Sequence, residues 1–215
     1  MQLALLMKDE MNKVKILAVS TVTLFLAACG GPKEATQSNF TKAIQAYLDT
    51  QPGLCAAIPA RQMPFTLENN GLIPEPKKRA DALADAGLLT KRDTEVKGSF
   101  GNKNAPATEY QVSEIGKQFL APKAANTLAR QDAFCSGKFV MVGVDNFTEP
   151  SEMMGMKVSR VNYRFKVDGL ADWAKSEAMI RNFKNIADKS QGDIQGKAAL
   201  ILTNNGWIHE HLFKQ

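Results

Sequence analysis

Two periods of apolar and polar residues run through this chain, and its two halves use them differently. In the first half, Phe40, Ile44, Tyr47 and Leu48 recur at helical spacing behind Ser38, a side chain able to cap a helix. The pattern predicts a helix from Ser38 to about Thr50, ended by Pro52-Gly53. Residues 53–74 hold Pro59, Pro64 and Pro74 and read as a loop with at most one short strand. A second helix is predicted over Lys77–Ala86, because prolines precede it and Gly87 follows it. Leu88–Lys97 reads as a strand and Gly98–Pro106 as a polar loop. Thr108, Tyr110 and Val112 then alternate with Glu109 and Gln111 as a half-buried strand. Ser113 is placed to cap a helix over Glu114–Leu120.

The second half is dominated by period two. Lys138–Asp145 is a nearly continuous apolar run. Val161, Tyr163, Phe165 and Val167 alternate with Asn162, Arg164 and Lys166, the mark of an antiparallel strand with one wet face. Residues 170–188 read as helical, with a lapse in the apolar stripe at Glu177 that allows two short helices. Ala198–Thr203 and Trp207–Phe213 read as strands joined at Asn205-Gly206, a strong hairpin signal. The expected fold class is α+β, with a first region at 38–122 and a second at 135–215. The second is a small antiparallel sheet packed with a helix in the order strand, strand, helix, strand, strand.

The first region carries a resemblance. The run Leu83-Ala84-Asp85-Ala86-Gly87-Leu88-Leu89-Thr90, a wing-like loop, and then Glu109 to Leu120 with Ser113 ahead of Glu114 resemble a winged-helix domain. The resemblance implies a winged-helix-like N-terminal half. Members of that family often bind DNA through the helix that here carries Lys77, Lys78 and Arg79.

A second resemblance speaks against nucleic acid. Lys13 and Lys15 precede an apolar run, Ile16 to Ala28, of 13 residues. That is shorter than the roughly 20 residues needed to span a bilayer and suits the apolar core of a secretory signal. The run closes on Leu26-Ala27-Ala28-Cys29, which resembles the lipobox of bacterial lipoproteins. The resemblance implies a signal peptide at residues 1–28, a lipid on Cys29, and a flexible tether over residues 29–37. Gly30, where inner-membrane lipoproteins of Gram-negative bacteria often carry Asp, implies the outer membrane, facing the periplasm; in a Gram-positive organism the same signal implies the outer face of the plasma membrane. The expected partners are then the membrane itself and an envelope protein or the cell wall, with no nucleic acid.

In that compartment Cys55 and Cys135 are left as an even pair and read as a structural disulfide. The net charge is +5, and the segment before Cys29 holds Lys8, Lys13 and Lys15 against Asp9 and Glu10, leaving +4. Mild basicity favours acidic envelope polymers and anionic lipid. Arg160, Arg164 and Lys166 share the polar side of one strand and are candidates to meet carboxylates or phosphates, as are Lys77, Lys78 and Arg79. His209 and His211, the only histidines, are two apart and form a candidate metal pair that needs a third ligand. Met153, Met154 and Met156 suit an apolar contact patch or a soft metal. The chain has no G-x-S-x-G, H-E-x-x-H or phosphate-loop motif. The expected function is a non-catalytic adaptor or accessory lipoprotein without a cofactor. A ligand- or metal-binding lipoprotein is the alternative, and a cell-wall hydrolase is a third reading.

Overall fold

The computed structural model describes residues 31–98, 103–121 and 131–214. Cys29 and the signal-like segment lie outside the described residues. In chain order the helices are α1 (Gln37–Leu48), α2 (Glu75–Asp85), α3 (Glu114–Lys117), α4 (Asp172–Lys175), α5 (Glu177–Asn182) and α6 (Lys184–Lys189). The strands of the first half are β1 (Leu54–Ala57), β2 (Phe65–Glu68), β3 (Leu89–Lys97), β4 (Asn104–Val112) and β5 (Leu120–Ala121). Those of the second are β6 (Ala133–Ser136), β7 (Lys138–Phe147), β8 (Ser151–Met153), β9 (Met156–Asp168), β10 (Ile194–Thr203) and β11 (Gly206–His209).

These strands make three sheets. Two have three strands, β1-β6-β5 and β2-β4-β3. The third runs β11-β10-β9-β7, with β8 also paired to β9. One of the three sheets curls into a half-barrel. The fold is therefore mostly β, and the expectation of an α+β protein with a winged-helix-like N-terminal half is wrong. Segment 53–74 supplies two strands where proline content argued for at most one. The helix after Ser113 stops at Lys117, a single turn. Above all, α1 does not join the first-half helices: it packs across β7, β10 and β11 of the second-half sheet.

Two apolar cores follow, and each takes residues from both halves. Phe40, Ile44 and Leu48 of α1 meet Val161, Leu200 and Trp207 of the large sheet. Phe40 is fully buried, with Phe147 and Trp207 packed edge-on at 4.8 and 5.0 Å. Truncating such a side chain to Ala costs about 3–5 kcal/mol. The second core joins Leu83, Leu88, Tyr110 and Phe134 to Trp173, Met179, Phe183 and Ile186 of the helices between β9 and β10. Those helices are short because Ser176 and Phe183 have extended backbone, and Ser176 Oγ caps α5 by accepting from the Met179 N–H. The sequence assigned the sheet-covering helix to this segment. The apolar stripe showed a helix but not which sheet it would cover.

Cys55 and Cys135 face one another across β1 and β6 and are joined by a disulfide. The bridge spans a sequence separation of 80, for which chain entropy gives about 4–5 kcal/mol of stabilisation. No helix among the described residues is long and apolar enough to cross a membrane.

Candidate functional site

The solvent-facing side of the large sheet is built by alternation. Val161 and Tyr163 of β9 and Ala198 and Leu200 of β10 point toward α1, so Arg160, Asn162, Lys197 and Ala199 point away from it. Register then brings together residues that are distant in sequence. Arg160 pairs with Ala199, and Asn162 lies between Asn146 on β7 and Lys197 on β10. Two register shifts in β7, at Met141/Gly143 and Val144/Asn146, bend that strand beside the row. A depression of about 410 Å³ results, lined by Asn146, Thr148, Arg160, Asn162, Lys197 and Glu210 among others.

Its walls are fixed by hydrogen bonds. Thr148 Oγ1 accepts from the Arg160 backbone N–H at 3.0 Å, and the Thr148 N–H donates to the Arg160 carbonyl at 3.0 Å. Asn162 Nδ2 donates to Asn146 Oδ1 at 2.6 Å. β11 ends at His209 opposite Leu200, so the next outward N–H of β10 has no ladder partner; Glu210 Oε1 accepts it, 3.1 Å from Ala199 N. Arg160 and Lys197 are the cations of this depression: among the described residues neither has a carboxylate within ion-pair distance, and the Glu210 carboxylate, which accepts the Ala199 N–H, lines the depression with them.

The other cations read from the sequence behave differently. Arg164, on the same face, is held between Asp145 at 2.8 Å and Asp193 at 2.6 Å, and these two carboxylates push its already high pKa further up. Lys166 lies opposite Val140, outside the lining of the depression. Lys77 Nζ donates to Asp81 Oδ2 at 2.9 Å and to the Tyr110 hydroxyl at 3.2 Å, while that hydroxyl donates to Asp81 Oδ1 at 2.7 Å. Burial pushes the Asp81 carboxyl up, but the Tyr110 and Lys77 hydrogen bonds outweigh it and leave it below the usual carboxylate range. Burial and then Asp81 push Tyr110 up. Lys78 sits 3.6 Å from Glu75, and the Arg79 guanidinium lies 6.0 Å from the centre of the Phe183 ring.

His209 and His211 do come together, with ring centres 5.2 Å apart, but only His209 lies on the strand. His209 is 2 % exposed, its ring stacks on Tyr47 at 3.9 Å, and its Nδ1 accepts the His211 backbone N–H at 3.2 Å. Burial, then the neighbouring His211, holds its pKa below the ordinary imidazole value. No group of three or more His, Cys, Asp or Glu among the described residues is placed to hold a metal.

Lys197, Glu210, Asn146 and Thr148 escaped the sequence reading. A signal for Lys197 was present: alternation of Gln195, Lys197 and Ala199 extends β10 upstream of Ala198, where the apolar run alone had placed its start. Compared with protein families, with curated proteins and with solved structures, the chain matches none.

Proposed function

We propose that this chain is a non-catalytic, lipid-anchored lipoprotein of the bacterial envelope. It faces the periplasm from the outer membrane and acts as an adaptor by docking an anionic envelope component on the Arg160–Lys197 face. One observation carries the docking reading: a depression in a hydrogen-bonded sheet whose two cations, Arg160 and Lys197, form no ion pair among the described residues and outnumber its one carboxylate, Glu210. Exposed, unpaired cations of this kind attract carboxylates or phosphates and steer their approach. Anchoring rests on the lipobox-like Leu26-Ala27-Ala28-Cys29. Two or more acyl chains give stable attachment where one is marginal.

The alternative, a metal held by His209 and His211, has less support: the His209 ring is committed to Tyr47 and to the His211 N–H, and no third ligand stands beside the pair among the described residues.

The test is in-cell crosslinking of the membrane-bound protein, with captured material identified by mass spectrometry. The expected result is one dominant envelope component, lost when Cys29→Ser releases the protein from the membrane. Capture of nothing above background contradicts the adaptor reading. Capture unchanged by Cys29→Ser contradicts the need for anchoring.

A further inference from the structure

Met154 is 93 % exposed and occupies a backbone conformation that disfavours it. Met153 and Met156 pair across β8 and β9, leaving Met154-Gly155 as a two-residue hairpin loop. Both loop residues have positive φ, 52° and 77°, the arrangement that ordinarily takes Asn-Gly or Asp-Gly. Met154 is the one non-glycine residue with positive φ among the described residues. Met153, beside it, is also exposed. Asparagine at 154 would suit the turn and present no apolar surface to water, so neither folding nor solubility accounts for methionine there.

Register fixes where this loop lies. Ile201 pairs with Val158 and Thr203 with Gly206, so β10 approaches its turn at the end of the sheet where β9 begins. The tips Met154-Gly155 and Asn204-Asn205 therefore share one end, on strands about 5 Å apart. The chain enters at that same end, and it enters pinned. A Cβ on Gly206 would lie 2.7 Å from the Pro32 carbonyl oxygen. Trp207 Nε1 donates to the carbonyls of Lys33 and Glu34 at 3.2 and 3.0 Å. Asn39 Nδ2 donates to the carbonyls of Gly31 and Glu34, each at 2.9 Å. Cys29 is two residues before Gly31, a reach of at most ~7 Å.

We infer that the Met153–Met156 hairpin rests in the surface of the same bilayer that holds the lipid on Cys29, as a second, apolar contact that sets the protein's orientation on the membrane. This rests on the lipidation proposed above. A lipid alone leaves the protein free to turn about its anchor, and a second contact beside the pinned entry removes that freedom. Unbranched thioether side chains suit the irregular boundary between head groups and acyl chains. Lys157 and Glu152 face each other across the hairpin, so the contact is apolar before it is electrostatic.

The test uses the full chain, lipidated in cells and reconstituted in vesicles of phosphatidylethanolamine and phosphatidylglycerol. Cys55 and Cys135 are bridged and Cys29 is acylated, so Met154→Cys provides one thiol for an environment-sensitive fluorophore. Leu72→Cys provides a control, since Leu72 is 76 % exposed on a segment of the other core. The expected result at 154 is a blue-shifted emission that brominated acyl chains quench by about two-fold or more, against a water-like, unquenched signal at 72. A water-like, unquenched signal at 154, on protein whose Cys29 carries lipid by mass spectrometry, overturns the inference and leaves the anchor standing. Absence of lipid on Cys29 overturns the anchor and this inference with it.

Discussion

The Lys77-Lys78-Arg79 run and the Arg160–Lys197 pair are both cationic, and folding treats them in opposite ways. In the run, Lys77 is held by Asp81 and Tyr110, Lys78 sits near Glu75, and Arg79 lies over the Phe183 ring. Arg160 and Lys197 arrive from neighbouring strands and line one depression, and among the described residues neither is in an ion pair. Arg164 marks the boundary between the two outcomes, since it shares the face of Arg160 yet is bound by two aspartates. Contiguous charge along a helix draws compensating partners at three- and four-residue spacing. Surplus charge is a property of the folded surface, and register can create it where the sequence shows no cluster.

Charge reversal separates the two regions most sharply. Arg160→Glu with Lys197→Glu is expected to reduce crosslinked capture of the envelope partner at least ~10-fold, equivalent to about 1.4 kcal/mol. Lys78→Glu with Arg79→Glu should leave capture within about two-fold, because exposed charges of this kind contribute little. Quantitative mass spectrometry of the captured partner reads both. Equal losses would erase the distinction.

Lys77→Met has the opposite profile. It removes the ammonium from Asp81 and Tyr110, and urea unfolding is expected to shift by about 1–2 kcal/mol with capture unchanged. It also alters the acid limb. Asp81 has a depressed folded pKa, so its contribution is present above the ordinary carboxyl range and is lost as pH falls through the folded value. Lys77→Met should flatten that loss.

His209 gives a second pH signature. Its folded pKa is lowered by burial, so below about 6.5 the unfolded chain takes up a proton that the folded chain resists. Stability then declines with falling pH toward the folded value, by no more than about 1.4 kcal/mol per pH unit. Unfolding curves of His209→Phe should lose this slope.

Asp193→Asn makes the comparison finer. It frees Arg164 from one of two carboxylates and adds surplus charge to the proposed docking face, so capture should rise about two-fold, the scale of one exposed ion pair. The smallest expected effect is Met154→Asn, which suits the left-handed conformation better and should stabilise the fold by up to about 1 kcal/mol, read as a rise in the urea midpoint.

Much of the local structure was legible in the sequence. The helix at Phe40, Ile44 and Leu48 and the alternating strand through Val161–Val167 follow from period, and the disulfide between Cys55 and Cys135 from the even pair left once the lipobox resemblance sets Cys29 apart. The hairpin was legible to within a residue: Thr203 pairs with Gly206, so the turn is Asn204-Asn205 and Gly206 serves the close approach of Pro32. Assembly was not legible. An amphipathic stripe states that a helix buries one face and is silent on which sheet receives it, so chain order alone groups α1 with the winged-helix-like region. Arg160 was legible as a polar-face cation. Its freedom from carboxylates, and the company of Lys197, depend on strand register and on bulges in β7 that no local pattern encodes.

The most direct test places a photocrosslinking residue at Ala199, inside the depression, and separately at Lys78, in the lipidated protein in living cells. A discrete adduct from position 199 that disappears with Arg160→Glu, and none from position 78, is the predicted result. No adduct from 199, or the same adduct from both positions, would contradict the assignment of the Arg160–Lys197 face as the docking surface.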